Sequence, residues 1–171
     1  MSGPRELLLL RHGIAEERSP DREDGGRALT PRGERRTRAV LERLLALDLG
    51  CERIVSSPLV RARQTAALAE KAGLTTRLLE APELAPEGDP APLLERCLSG
   101  RPPWEHWQRL GLVGHEPDLS TLAARLIGAP AGSLALRKAG VIVLVLPAQG
   151  ILWGRCTLRL LLSPRILLPE E

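Results

Sequence analysis

The chain contains no tyrosine and no phenylalanine, and only three tryptophans among its 171 residues. Base stacking would have to rest on Trp104, Trp107, Trp153 or arginine planes, so nucleic acid is a poor candidate ligand. The formal net charge of +3 does not reverse this, because acidic and basic residues are interspersed. The one dense basic stretch, RGERRTR (32–38), reads as a solvated helix face. The three cysteines, Cys51, Cys97 and Cys156, form no CxxC pair and read as reduced thiols of a cytosolic protein. The three histidines, His12, His106 and His115, stand at no metal-ligand spacing, so neither a metal nor another cofactor is expected. No apolar run approaches the roughly 20 residues that span a bilayer. The four leucines near the N-terminus are too few for a signal-peptide core. The expectation is a cytoplasmic protein with no membrane partner.

Hydrophobic residues make up 43% and charged residues 26%, an ordinary globular composition whose length suits a single domain over 1–171. ELLLL (6–10) is a short continuous apolar run, as in a strand buried on both faces. A polar loop (14–29) follows. Thr30 and Pro31 then form a helix-start signal for 30–50, with Gly50 as its stop. RIVSSP (53–58) predicts a second strand. Ser57 as cap and Pro58 open a helix over 59–73. A third strand lies within 75–84, a short helix over 91–98, a fourth strand over 109–114 and a helix over 116–128 with Pro117 in its first turn. VIVLVLP (141–147) and ILWGRCTLRLLLS (151–163) predict two more strands, joined as an antiparallel hairpin. Strands alternating with helices predict an α/β layered fold, with a mostly parallel central sheet flanked by helices.

In open α/β sheets, ligands bind beyond the carboxyl ends of the strands. Arg11, His12 and Gly13 follow the first strand. Ser56, Ser57 and Pro58 follow the second, with Arg61 one helical turn on. His115, Glu116 and Pro117 follow the fourth. Two arginines and two histidines then converge near helix N-termini, a set suited to phosphate. A neutral histidine among such donors can attack phosphorus, and the arginines should keep it neutral. Arg18, in the loop, reads as solvated, and Trp104–Trp107 (WEHW) as packing or loop structure.

LLRHG (9–13), SSPLVRARQTA (56–66) and GHEP (114–117), in this order, resemble the histidine phosphatase superfamily, also known as the phosphoglycerate mutase-like fold. With LTPRGERR (29–36) and PELAPEGD (82–89), the likeness is greatest to its short SixA-type phosphohistidine phosphatase branch. The resemblance implies that His12 is the phosphorylated nucleophile. It implies that Arg11 and Arg61 bind the phosphoryl oxygens and that His115 donates a hydrogen bond to them. It places Glu83 where other members carry the proton donor, with Asp89 as competitor. Mutases commonly have Glu after RHG and Asn six residues after the histidine, where this chain has Ile14 and Arg18.

The stretch 62–114 is too short for the capping insert of the mutases and larger acid phosphatases. An open site suits a phosphate presented on a protein surface, such as phosphohistidine on a histidine phosphotransfer domain. A small-molecule phosphomonoesterase of the same superfamily is the alternative, acting on a small phosphorylated substrate. A non-catalytic phosphate- or phosphoprotein-binding module is the reading from another class. The sequence leaves oligomeric state open.

Overall fold

A computed structural model describes residues 3–169. Six strands form one sheet: β1 (Glu6–Arg11), β2 (Arg53–Ser56), β3 (Leu78–Glu80), β4 (Arg109–Gly114), β5 (Val141–Val145) and β6 (Thr157–Leu162), in the spatial order β3-β2-β4-β1-β5-β6. The first four are mutually parallel; β5 runs antiparallel to β1, and β6 antiparallel to β5. The helices are α1 (Pro31–Ala46), α2 (Val60–Lys71), α3 (Ala91–Leu98), α4 (Asp118–Ile127) and the short α5 (Pro164–Leu167). No helix among the described residues is long and apolar enough to cross a membrane.

The leucine run is continuous because β1 is central and covered on both faces. Leu7 and Leu9 join one core with Leu93 and Leu94 of α3 and Leu119 and Leu122 of α4. Leu8 and Leu10 point the other way, into Val40, Leu41 and Leu44 of α1 and the alanines of α2. All four leucines are at most 1% exposed, each contributing roughly 1.5–3 kcal/mol of burial free energy. Thr30 caps α1 as expected, its side chain accepting from Gly33 N at 3.0 Å. Gly33 is required there, because a Cβ would collide with the Ile14 carbonyl. Arg32, Arg35 and Arg38 are exposed, which makes 32–38 the solvated face expected of it.

Several boundaries differ from expectation, each for a local reason. Helix α1 ends at Ala46, and the reversal is made by Asp48 at φ 58° rather than by Gly50. Helix α2 begins after Leu59, one residue beyond Pro58, and Pro117 precedes α4 rather than lying in its first turn. Strand β6 begins at Thr157 instead of Ile151. Its intended first half is held by the end of α4: Gly154 N donates to the Arg125 carbonyl, Cys156 N to that of Leu126, and Arg125 stacks over Trp153. Trp107 is buried and donates Nε1–H to the Cys97 carbonyl, so the WEHW segment serves packing.

Candidate active site

Strands β2, β4 and β1 are neighbours with parallel direction, so their carboxyl ends open side by side. The ladder extends one residue past each strand: His12 N donates to the Gly114 carbonyl and Ser57 N to the Val113 carbonyl. This register brings His12, Ser57 and His115 together. Arg61 reaches the same place from the first turn of α2. His12, Arg61 and His115 are 6%, 2% and 3% exposed, and the two imidazole rings lie 5.2 Å apart.

The bonds around His12 set its tautomer. Nδ1 lies 2.7 Å from the Gly13 carbonyl, which can only accept, so Nδ1 carries the proton. The lone pair then sits on Nε2, which accepts from Arg61 Nε at 3.3 Å. Gly13 N donates to Thr65 Oγ1, which in turn donates to the Arg61 carbonyl, tying the turn after β1 to α2. Burial is the main reason that His12 titrates far below an ordinary imidazole, at about 3, with His115, Arg61 and Arg11 lowering it further. His115 is lowered to about 4, again first by burial and then by Arg61. The arginines do favour neutral histidine, as the sequence argument held, but desolvation is the larger effect. Near neutral pH the site holds an uncharged His12 whose Nε2 lone pair faces the Arg61 guanidinium.

Arg11 donates through Nη1 to the Leu136 carbonyl at 2.9 Å, while its buried Nε has no partner. His115 Nε2 lies 2.7 Å from Ser57 Oγ, and its buried Nδ1 is likewise unpartnered. Orphaned polar atoms of this kind mark where a ligand's oxygens fit. Glu116 accepts from Ser120 N through Oε1, supporting the start of α4.

The remaining candidates separate. Glu83, on a short 3-10 turn (Pro82–Leu84), borders a small pocket with His115. Its carboxylate is paired with Arg96 at 2.6 Å, and that hydrogen bond holds Glu83 below the usual carboxylate range. Asp89 is exposed and accepts from Ala91 N at the start of α3. Arg18 remains exposed, but pairs with Asp24 at 3.1 Å. Asp24 is the site residue that periodicity and motif spacing missed. Lying in the loop 14–29, it accepts from Arg61 through both its carbonyl and its carboxylate, and its carboxylate also pairs with Arg27. Loop residues carry no periodic signal, so nothing in the spacing marked it.

The chain is a member of the histidine phosphatase superfamily. The family model for branch 1 of that superfamily matches residues 7–85, and a Picosynechococcus protein of uncharacterised function is 41% identical over 172 residues, covering 96% of this chain and 99% of that protein. Among solved structures, one assigned as the phosphohistidine phosphatase SixA of Agrobacterium tumefaciens superposes with a TM-score of 0.76 at 23% identity, covering 95% of this chain and all of the other. The protein histidine phosphatase SixA complexed with tungstate gives the same TM-score at 24% identity, covering 94% and 97% of the two chains. The alpha-ribazole phosphatase of Shigella flexneri gives 0.68 at 22% identity, covering 96% and 100%. These structural likenesses establish a shared phosphoglycerate mutase-like fold. Family membership makes the chain a phosphatase.

Proposed function

We infer that this phosphatase works through a phosphohistidine on His12 and that its substrate is protein phosphohistidine, as in SixA-type enzymes. His12 Nε2 attacks phosphorus while the bond to the leaving nitrogen breaks. The departing imidazole takes up a proton from solvent. Water then attacks the phosphorylated His12, releasing inorganic phosphate and returning neutral imidazole. Arg61, Arg11 and His115 surround Nε2 and stabilise the equatorial oxygens. A phosphorylated histidine phosphotransfer domain is the kind of partner that would present such a phosphohistidine.

The observation that supports this substrate class most directly is the Glu83–Arg96 pair. Glu83 borders the small pocket that His115 also lines, and it is held ionised by Arg96. An ionised carboxylate is a poor proton donor. An alkoxide leaving group needs such a donor, worth roughly 10²–10⁴ in rate, whereas a protonated phosphoramidate does not. One feature favours a small phosphate ester instead: Glu83 Oε2 is buried without a partner, as befits an oxygen awaiting a substrate hydroxyl.

A substrate panel separates the two. Phosphorylated histidine phosphotransfer protein, free phosphohistidine, p-nitrophenyl phosphate and sugar phosphates are assayed with the wild type and with Glu83→Gln. The expected result is highest kcat/KM on the phosphoprotein, little changed in Glu83→Gln. A strong preference for an ester, lost in Glu83→Gln, overturns the phosphohistidine assignment and installs Glu83 as the acid.

A further inference from the structure

Ser57 follows β2 directly and is fully buried, at 0% exposure. Its backbone N–H continues the ladder to the Val113 carbonyl. Its expected duty was to cap α2, yet that helix begins only at Val60. The side chain is turned to other use: Oγ accepts from Leu59 N at 3.3 Å and lies 2.7 Å from His115 Nε2.

Which group donates across the 2.7 Å contact follows from elimination. A hydroxyl has one proton and two acceptor positions. Among the described residues, no carbonyl or carboxylate lies within reach of Ser57 Oγ, so the only acceptor available to its proton is His115 Nε2. Were His115 instead to donate through Nε2, the Ser57 proton would be buried without a partner. The Nδ1 lone pair, equally buried and unpartnered, would then face the anion site. Two unfavourable placements would replace two favourable ones.

We propose that Ser57 is a positioning residue that donates its hydroxyl proton to His115 Nε2, fixing the neutral imidazole as the Nδ1–H tautomer so that Nδ1 donates to the phosphoryl oxygen. This rests on the placement of the phosphoryl group at His12 proposed above, and is independent of the leaving group. It gives His115 a direction that charge alone cannot. Because burial keeps the ring neutral, it can present a donor through one nitrogen only, and the other tautomer turns a lone pair against the oxygens. Ser57 makes that choice before substrate arrives. The arrangement is analogous in logic to the carbonyl of Gly13, which fixes the opposite requirement at His12, a lone pair on Nε2.

The test is read without any substrate. In the full chain labelled with 15N-histidine, free and with inorganic phosphate, His115 Nδ1 should resonate as a protonated, pyrrole-like nitrogen and Nε2 as a pyridine-like one. In Ser57→Ala the two should average or exchange character, and phosphate affinity should fall about tenfold or more. Ser57→Thr keeps a hydroxyl and should restore both the Nδ1–H signal and the affinity, which a merely space-filling serine would not predict. A pyridine-like Nδ1 in the wild type overturns the proposal, whether or not the variants fold. So does a Ser57→Ala protein that keeps both the Nδ1–H signal and wild-type phosphate affinity. Failure of the phosphohistidine substrate reading would show only in the substrate panel and leave these signals unmoved.

Discussion

Lowering the pH from about 8 to about 5 should destabilise the protein by about 4 kcal/mol through His12 and His115. In an unfolded chain an imidazole titrates near 6.5. In the fold His12 titrates at about 3 and His115 at about 4. Between the folded and unfolded values the unfolded state binds protons that the native state refuses. Stability therefore rises with pH across this window, and is lost as pH falls from about 6.5 towards 4. At pH 5 both rings are still neutral in the native state and almost fully charged when unfolded, so each costs about 2 kcal/mol relative to pH 8. The rings are close enough to repel once charged, but neither is charged in the native state at pH 5, so the two costs add. Against a typical total of roughly 5–15 kcal/mol, the loss is large.

Urea melts at the two pH values measure this directly. Other groups titrate in the same range, so the diagnostic quantity is a difference: His12→Asn and His115→Asn should each reduce the pH-dependent loss by about 2 kcal/mol. If either variant loses as much stability as the wild type between pH 8 and 5, that histidine is not a buried neutral ring, and for His12 the account of a neutral nucleophile is wrong. The same titration has a kinetic face. If His12 is the nucleophile, it stays neutral well below pH 6, so an acid limb in kcat/KM near pH 6 should come from the substrate rather than from His12.

Four further outcomes are expected. Gly13→Ala places a Cβ inside the contact distance of Thr37 Oγ1 and should cost roughly 1–3 kcal/mol; adding Thr37→Ala leaves the nearest Thr37 atom at 3.4 Å and should recover most of that loss in a thermal-unfolding double-mutant cycle. His12→Ala should abolish turnover while leaving the circular dichroism spectrum and melting cooperativity intact, and any residual wild-type rate refutes the nucleophile. Arg61→Ala should lower kcat about a hundredfold or more, the scale of losing one preorganised charge stabiliser; a change confined to KM would make Arg61 a ground-state binder only. Asp24→Asn removes a negative charge held against Arg61, Arg27 and Arg18, and phosphate inhibition should tighten several-fold, an effect of order 1 kcal/mol at solvent-screened range; weaker inhibition would show that Asp24 matters more for holding Arg61 in place.

What the sequence made legible follows what burial makes periodic. The leucines of β1 alternate between two covered faces, so every one had to be apolar and the run was continuous. The motif residues after β1, β2 and β4 were legible because strand ends are defined by those runs. Glycine and proline punctuation was less dependable. Asp48, not Gly50, makes the left-handed turn after α1, and the helix after Pro58 starts at Val60, without Ser57 as its cap. At the sheet edge, no residue of β6 is buried and most are exposed, so its pattern resembles the loop before it, and that loop packs against α4 before the strand begins. Asp24 was invisible for a related reason: its partners come from α2 and its own loop, and only tertiary structure joins them.

The polar atoms that folding leaves unsatisfied explain how the site can be built before its ligand arrives. A buried donor without a partner costs roughly 1–3 kcal/mol, so natural folds keep few of them. Arg11 Nε and His115 Nδ1 are two such atoms, and both side chains lie near enough to His12 to help lower its pKa. The rest of each group is firmly held, Arg11 by the Leu136 carbonyl and His115 by Ser57. The orientation of each donor is thus fixed by one bond while the other is withheld. The Thr65 hydroxyl ties Gly13 to the helix that carries Arg61, and Asp24 holds the Arg61 guanidinium, so two side-chain contacts set the relative position of lone pair and guanidinium. Under the proposed function, an oxyanion entering this cluster would satisfy buried donors that the fold leaves unpaired. On the proposed function, free energy forfeited in folding would be recovered when phosphoryl oxygens arrive, most fully in a transition state whose charge is spread towards these donors.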